Sequence, residues 1–171
     1  NWSVAWGLLK RMGFPLKAIR AHQRLIMKLG RRIRLGKWIG PRWYAKNGYP
    51  QGCSISIVIM DCILITWANR MQRLIPSGTF CNFLDDTVAA VHSLEDHALM
   101  IRETEVFDKV SGSRTLPKKS GILGTTRQLA RKAARYKLNG SFIPVVSWAR
   151  LLGDVISTNG VSKQLSNQRI H

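Results

Sequence analysis

Thr79-Phe80-Cys81-Asn82-Phe83-Leu84-Asp85-Asp86-Thr87-Val88-Ala89-Ala90-Val91-His92 is the stretch on which the fold turns. Two short runs rich in apolar and β-favouring residues, 79–84 and 87–92, are parted only by two aspartates, which predicts a hairpin with both carboxylates at its tip. Adjacent aspartates repel, and a turn can be made with one. A divalent cation removes the conflict: carboxylates are hard ligands, and a pair on a hairpin tip suits Mg²⁺ (or Mn²⁺), with water and phosphate in its remaining positions. Taken alone, an Asp-Asp pair is more often a solvated turn; the apolar flanks predict buried arms and acids projected from a sheet edge.

Working outward, helices are expected on both sides. Trp2 to Met12 reads as a short helix stopped at Gly13, and Pro15 opens another with apolar positions Leu16, Ile19, Leu25, Ile26 and Leu29 before Gly30. Arg31 to Tyr44, around Gly36-Lys37, predicts a hairpin. Cys53 to Arg73 is too long for a strand and is expected to be one long, mostly buried helix. After the aspartates, Ser93 with Glu95 and Asp96 in the following turn predicts a helix over about 94–110. A strand at 121–125, a basic helix at 127–137, an Asn139-Gly140 turn and strands at 142–146 and 150–156 complete an α+β pattern.

The chain has 171 residues, 27 Lys+Arg against 9 Asp+Glu, and a formal charge of +18. Its apolar content, 45%, excludes a disordered tail, a collagen repeat or a coiled coil, and its charge favours a polyanionic partner, nucleic acid first. Residues 1–60 hold 12 basic residues and no acid, 61–110 hold 8 of the 9 acids, and 111–150 hold 9 basic residues and no acid. Cations would thus grip phosphates on either side of a carboxylate centre; the alternative is a solvated basic surface. Cys53, Cys62 and Cys81 follow neither disulfide nor zinc spacing, so an intracellular setting is expected. The apolar run Ile55–Trp67, broken by Asp61, is short of the ~20 residues that span a bilayer, and no membrane partner is expected. With Asn1 at the first position, the chain is expected to be part of a longer one.

A second motif, Gly48-Tyr49-Pro50-Gln51-Gly52-Cys53-Ser54-Ile55-Ser56, leads straight into the long helix. Its glycines and proline impose a sharp turn, Gln51 offers donors and acceptors, and the small residues permit close approach of a base pair or phosphate. An ordinary helix start is the alternative. The two motifs together resemble reverse transcriptases: this segment is similar to their Gly-hydrophobe-Pro-Gln-Gly-x-x-x-Ser signature, and Phe83-Leu84-Asp85-Asp86 to their Tyr/Phe-x-Asp-Asp hairpin about thirty residues later. Ser111-Gly112 with Lys118-Lys119-Ser120 resembles a family segment that ends in lysine. Arg150-Leu151-Leu152-Gly153-Asp154-Val155-Ile156 resembles the primer-grip strand. The style is that of non-LTR, LINE-like retroelements.

The resemblance implies a partial polymerase palm over 1–171, an antiparallel sheet with a catalytic hairpin backed by helices. It implies RNA-directed DNA polymerase activity, by which nucleotides are added to a primer 3′-OH through two metal ions in the intact parent. Asp85 and Asp86 would bind Mg²⁺; Lys119 would approach the leaving pyrophosphate or else be one more solvated cation. Pro50, Gln51 and Gly52 would contact template and nucleotide, and Leu152 and Gly153 would hold the primer end. Partners would be an RNA template, a DNA primer and deoxynucleoside triphosphates, with no small-molecule cofactor, and the nucleus would be the working compartment.

Two departures stand beside the resemblance. The family's first catalytic aspartate lies in an earlier motif, yet no acid precedes Asp61; residues from Trp2 on resemble the helix that follows that motif, so fingers and first motif are expected to be missing and the fragment inactive alone. Leu116 and Leu151 stand where the family commonly has Asn and Tyr. The alternative is a catalytically dead remnant that only binds nucleic acid; an RNA-dependent RNA polymerase is disfavoured because Leu84, not Gly, precedes the aspartates and because of Pro50-Gln51-Gly52.

Overall fold

The computed structural model describes residues 1–50, 53–84, 86–151 and 154–157. Helices and small antiparallel sheets combine in it, the α+β class expected, in two compact units: residues 1–66 with 82–85, and residues 67–81 with 86–171.

In the first unit, α1 (Trp2–Arg11) is capped by Asn1, whose side chain accepts from the Ser3 amide at 3.2 Å, and Lys10 and Arg11 face the negative end of its dipole. Helix α2 (Leu16–Lys28) follows Pro15 and buries Ile19, His22 and Ile26, spaced three and four apart as one helical face requires. The core joins Ala5, Leu9, Ile19, Ile59 and Cys62, with Trp6, Phe14 and Tyr49 against it.

A twisted ribbon follows α2. Strand β1 (Gly30–Arg31) pairs antiparallel with β4 (Trp43–Tyr44), and β2 (Arg34–Leu35) with β3 (Trp38–Ile39), the Gly40 amide donating to the Ile33 carbonyl at 2.8 Å between them. Gly36, at φ +60°, takes the first central position of the two-residue loop, where a type II′ hairpin turn calls for glycine.

Helix α3 (Ser54–Leu74) is continuous over 21 residues, as its length requires, but it is not mostly buried. Ile59, Cys62, Trp67 and Met71 are covered, while Ile55, Ile57, Val58, Met60, Ile65 and Leu74 are exposed. An apolar run fixes the helix, whereas burial depends on what packs against it, and here one stripe is covered. The helix also outruns the segment Ile55–Trp67 on which the sequence reading rested: by length and composition alone α3 is long and apolar enough to cross a membrane.

In the second unit, α4 (Leu94–Ser111) starts where Ser93 predicted it, with the Ser93 hydroxyl accepting from the Asp96 amide at 3.0 Å, and stops at Gly112 in the left-handed conformation, φ +76°. A 3₁₀ turn (Pro117–Lys119) and α5 (Arg127–Ala133), capped by Thr126, come next. Strand β7 (Lys137–Leu138) pairs with β8 (Ser141–Phe142) across the expected Asn139-Gly140 turn, whose two residues at positive φ make it type I′. The core is Ile101, Ile122, Ala130, Ala133, Leu138 and Ile143.

Two expected strands differ. Residues 121–125 contribute only a bridge, Ile122 to Val145, so the 142–146 strand is reduced to β8 and that contact. Residues 150–156 are not one strand: β9 (Trp148–Leu151) folds back on β10 (Asp154–Ser157), with Leu151 opposite Asp154, so the segment spends its hydrogen bonds on itself.

Candidate functional site

The aspartate pair lies where β5 (Thr79–Phe83) meets β6 (Asp86–Ala90), which form a two-stranded sheet. Asp86 opens β6 and is exposed; Asp85 lies outside the described residues. The residue before it, Leu84, sits at φ +54°. A bulky apolar residue rarely takes the left-handed region, which costs roughly 1–2 kcal/mol. Such strain gathers at functional turns, and here it adjoins the acids.

The arms are not the buried strands expected. Strand β5 alternates between exposed and half-buried, β6 mixes the two without alternating, and Phe83 is 54% exposed, because a two-stranded ribbon has no third strand to cover it. Contacts at particular points hold it instead. The Asn82 amide donates to the Leu64 carbonyl at 2.9 Å, and Phe80 stacks edge-on to Trp67, with centroids 5.8 Å apart. Gly78 lets that ring in, since a Cβ there would lie 2.7 Å from it. Trp67 donates through Nε1 to the Thr104 hydroxyl at 3.1 Å, and the Arg70 guanidinium grips the buried Glu103, Nε to Oε2 at 2.9 Å, holding that carboxyl below its ordinary range.

The motif at 48–56 is built on the first core. Trp2 Nε1 donates to the Gly48 carbonyl at 2.9 Å, and Gly48 turns the chain at φ +76°. Tyr49 packs into the core and stacks on His22 at 5.6 Å. Burial raises the Tyr49 phenol to about 12 and lowers the His22 imidazole. Further along, hydrogen bonding from the Ser56 side chain lowers the Cys53 thiol at the start of α3. Pro50 and Tyr49 border an open cleft of about 510 Å³ with Leu29, Gly30, Arg31 and Arg32. Gln51 and Gly52, expected to contact template and nucleotide, lie outside the described residues, as do Leu152 and Gly153 of the expected primer grip.

Lys119 ends the 3₁₀ turn and is exposed. Among the described residues no ion pair joins it to Asp86. Its segment is tethered by Asp108, a buried carboxylate on α4 that accepts from the Thr115 amide at 2.7 Å, from the Thr115 hydroxyl at 3.2 Å and from Asn139 Nδ2 at 2.8 Å. Among the described residues no group of three or more His, Cys, Asp or Glu could hold a metal ion. At the aspartate pair they supply one exposed carboxylate, Asp86, which does not by itself make a two-metal cage.

The sequence reading passed over two features, the Arg31–Tyr49 cleft and the Asp108 tether. The run of cations at 31–37 pointed to the first; a lone Asp late in an amphipathic helix gave no signal for the second. Comparison with family profiles, curated proteins and solved structures finds no match to this chain.

Proposed function

We propose that the chain is the palm segment of an RNA-directed DNA polymerase of a non-LTR, LINE-like retroelement. Its reaction is template-directed transfer of nucleotides to a primer 3′-OH, with Asp85 and Asp86 as Mg²⁺ ligands and Lys119 beside the leaving pyrophosphate. The observation that carries the reading is the order of its segments: the Gly48–Ser56 motif running into α3, then β5 and β6 joined through a strained Leu84 ahead of two aspartates. Nucleotidyl transfer relies on positioning and charge neutralisation, so a palm needs a further carboxylate that 1–60 does not contain.

The test is primer extension on poly(A)/oligo(dT) with Mg²⁺ and dTTP, by the chain and by a form extended ahead of Asn1 with an Asp-containing first motif. Extension by the extended form, abolished by Asp85→Asn, supports the reading. No product from the extended form, or product unchanged by Asp85→Asn, refutes it. The second reading, a remnant that only binds nucleic acid, draws on the +18 charge and the absence of acids before Asp61.

A further inference from the structure

The ribbon β1–β4 has a composition that its own folding does not explain. Residues 30–46 carry six cations, Arg31, Arg32, Arg34, Lys37, Arg42 and Lys46, and no acid. The same residues leave Trp38 56%, Trp43 43% and Tyr44 54% exposed. Large aromatic rings usually repay a fold by being buried, and three of them outside on one small ribbon mark a surface built for contact.

The geometry ties rings and charges together. Arg31 stands opposite Trp43 in the β1–β4 register, its guanidinium carbon 5.5 Å from the ring centroid. Arg42 folds over Gly30, where a Cβ would lie 2.6 Å from its side chain. Arg31 and Arg32 line the cleft with Tyr49 and Pro50, and Arg31 and Tyr49 each carry buried donors with no hydrogen-bond partner, Arg31 Nε and Nη2 and the Tyr49 hydroxyl. Leaving a buried donor unsatisfied costs about 1–3 kcal/mol, so three on the two residues that border the cleft favour a small shift that meets an acceptor there. A phosphate oxygen matches the guanidinium fork and the phenol alike.

We propose that residues 30–46, with the Arg31–Tyr49 cleft, form a binding platform for single-stranded nucleic acid, a phosphodiester seated in the cleft and bases stacked on the exposed Trp38, Trp43 and Tyr44. Stacking requires open base faces, which a duplex hides, and cations interleaved with aromatic rings are the common makeup of single-strand grooves. An anionic lipid surface also takes Trp and Arg, but through one face of an amphipathic helix rather than through a β-ribbon with a cleft bordered by residues that carry unpaired donors. The inference rests on the polymerase reading only for the source of the strand.

The experiment is fluorescence anisotropy with labelled oligo(dT) of about 20 nucleotides, without Mg²⁺ or nucleotides, over about 50 to 200 mM salt. Omitting both separates the result from that of primer extension. Trp38→Ala and Trp43→Ala are each expected to weaken binding about 5- to 150-fold, and Trp43→Phe to restore most of it. Arg31→Gln is expected to make the salt slope shallower by about 0.7, whereas Lys109→Gln on α4 leaves it unchanged. The proposal is overturned if the double Trp variant, with an unaltered far-UV spectrum, binds as the parent does, or if Lys109→Gln acts as strongly as Arg31→Gln. Tighter binding of a duplex of equal length, or displacement of the probe by phosphatidylglycerol vesicles, also overturns it. Photocrosslinking of a 5-iodouridine-substituted oligonucleotide to the unaltered protein gives a check free of folding effects: adducts on Trp38, Trp43 or Tyr44 support the proposal, and adducts confined to residues outside 30–50 refute it.

Discussion

Replacing Asp108 with Ala strikes the contact that fixes the approach to Lys119. The carboxylate is buried and accepts three hydrogen bonds, two from Thr115 and one from Asn139. On its removal the Thr115 hydroxyl can turn to water, and Asn139 Nδ2 keeps the Thr115 carbonyl at 3.1 Å. The Thr115 amide loses its acceptor outright. One orphaned amide at about 1–3 kcal/mol and one charge-assisted bond at about 1.5–3 kcal/mol give a destabilisation of roughly 3–5 kcal/mol, allowing for non-additivity. At about 2–4 °C per kcal/mol, Tm falls by roughly 6–20 °C. Urea unfolding followed by far-UV circular dichroism measures the loss, and hydrogen exchange localises it, since the amides of 113–120 and Asn139 lose protection before the rest of α4. Asp108→Asn, which keeps an acceptor, is expected to lose about half as much. A loss for Asp108→Ala below about 1 kcal/mol, or exchange spread evenly over the chain, refutes the tether.

The remaining predictions are shorter. His97 is buried against Tyr136 and its imidazole is held below the ordinary 6.5 by burial, so the folded state resists protonation. Its contribution is full above pH 6.5 and is lost as pH falls below that value; His97→Phe should flatten that part of a stability–pH curve, and an unchanged slope counts against it. Glu103, held low by Arg70, contributes above the ordinary carboxylate range and loses its contribution as pH falls through its depressed value, so Arg70→Gln should raise the pH of acid unfolding. Leu84→Asn removes the left-handed strain and is expected to stabilise the chain by about 1 kcal/mol in urea titrations; destabilisation of that size would show that Leu84 is not strained. Lys119→Ala, at an exposed site, should leave stability within about 0.5 kcal/mol yet slow primer extension by the extended form about 10²-fold; equal rates would make Lys119 a solvated cation.

The sequence was legible where local chemistry decides. Ser93 caps a helix, Gly36-Lys37 and Asn139-Gly140 make their turns, and the segment from Cys53 to Arg73 is the long helix α3, because each of these depends on residues within a turn or two. It was illegible where the outcome depends on distant partners. The period of α3 could not tell which of its apolar residues meet a core, nor could β-propensity tell that 154–157 pairs with 148–151 in a hairpin, or that 121–125 stops at one bridge. At the candidate site, the Asp85-Asp86 and Pro50-Gln51-Gly52 motifs announce themselves by composition. The Arg31–Tyr49 cleft joins residues eighteen apart through the return of the ribbon, and the run of cations at 31–37 marked only one side of it.

The uncovered stripe of α3 sets salt against itself. At low ionic strength the +18 charge keeps copies of the chain apart and draws polyanions in. As salt rises the Debye length shrinks to about 8 Å near physiological strength, polyanions are released, and nothing then opposes contact between one exposed Ile55–Ile65 stripe and another. On the proposed reading, the conditions that would free the protein from nucleic acid drive it to self-associate, and sedimentation with an added oligonucleotide at rising salt should show the two transitions in that order.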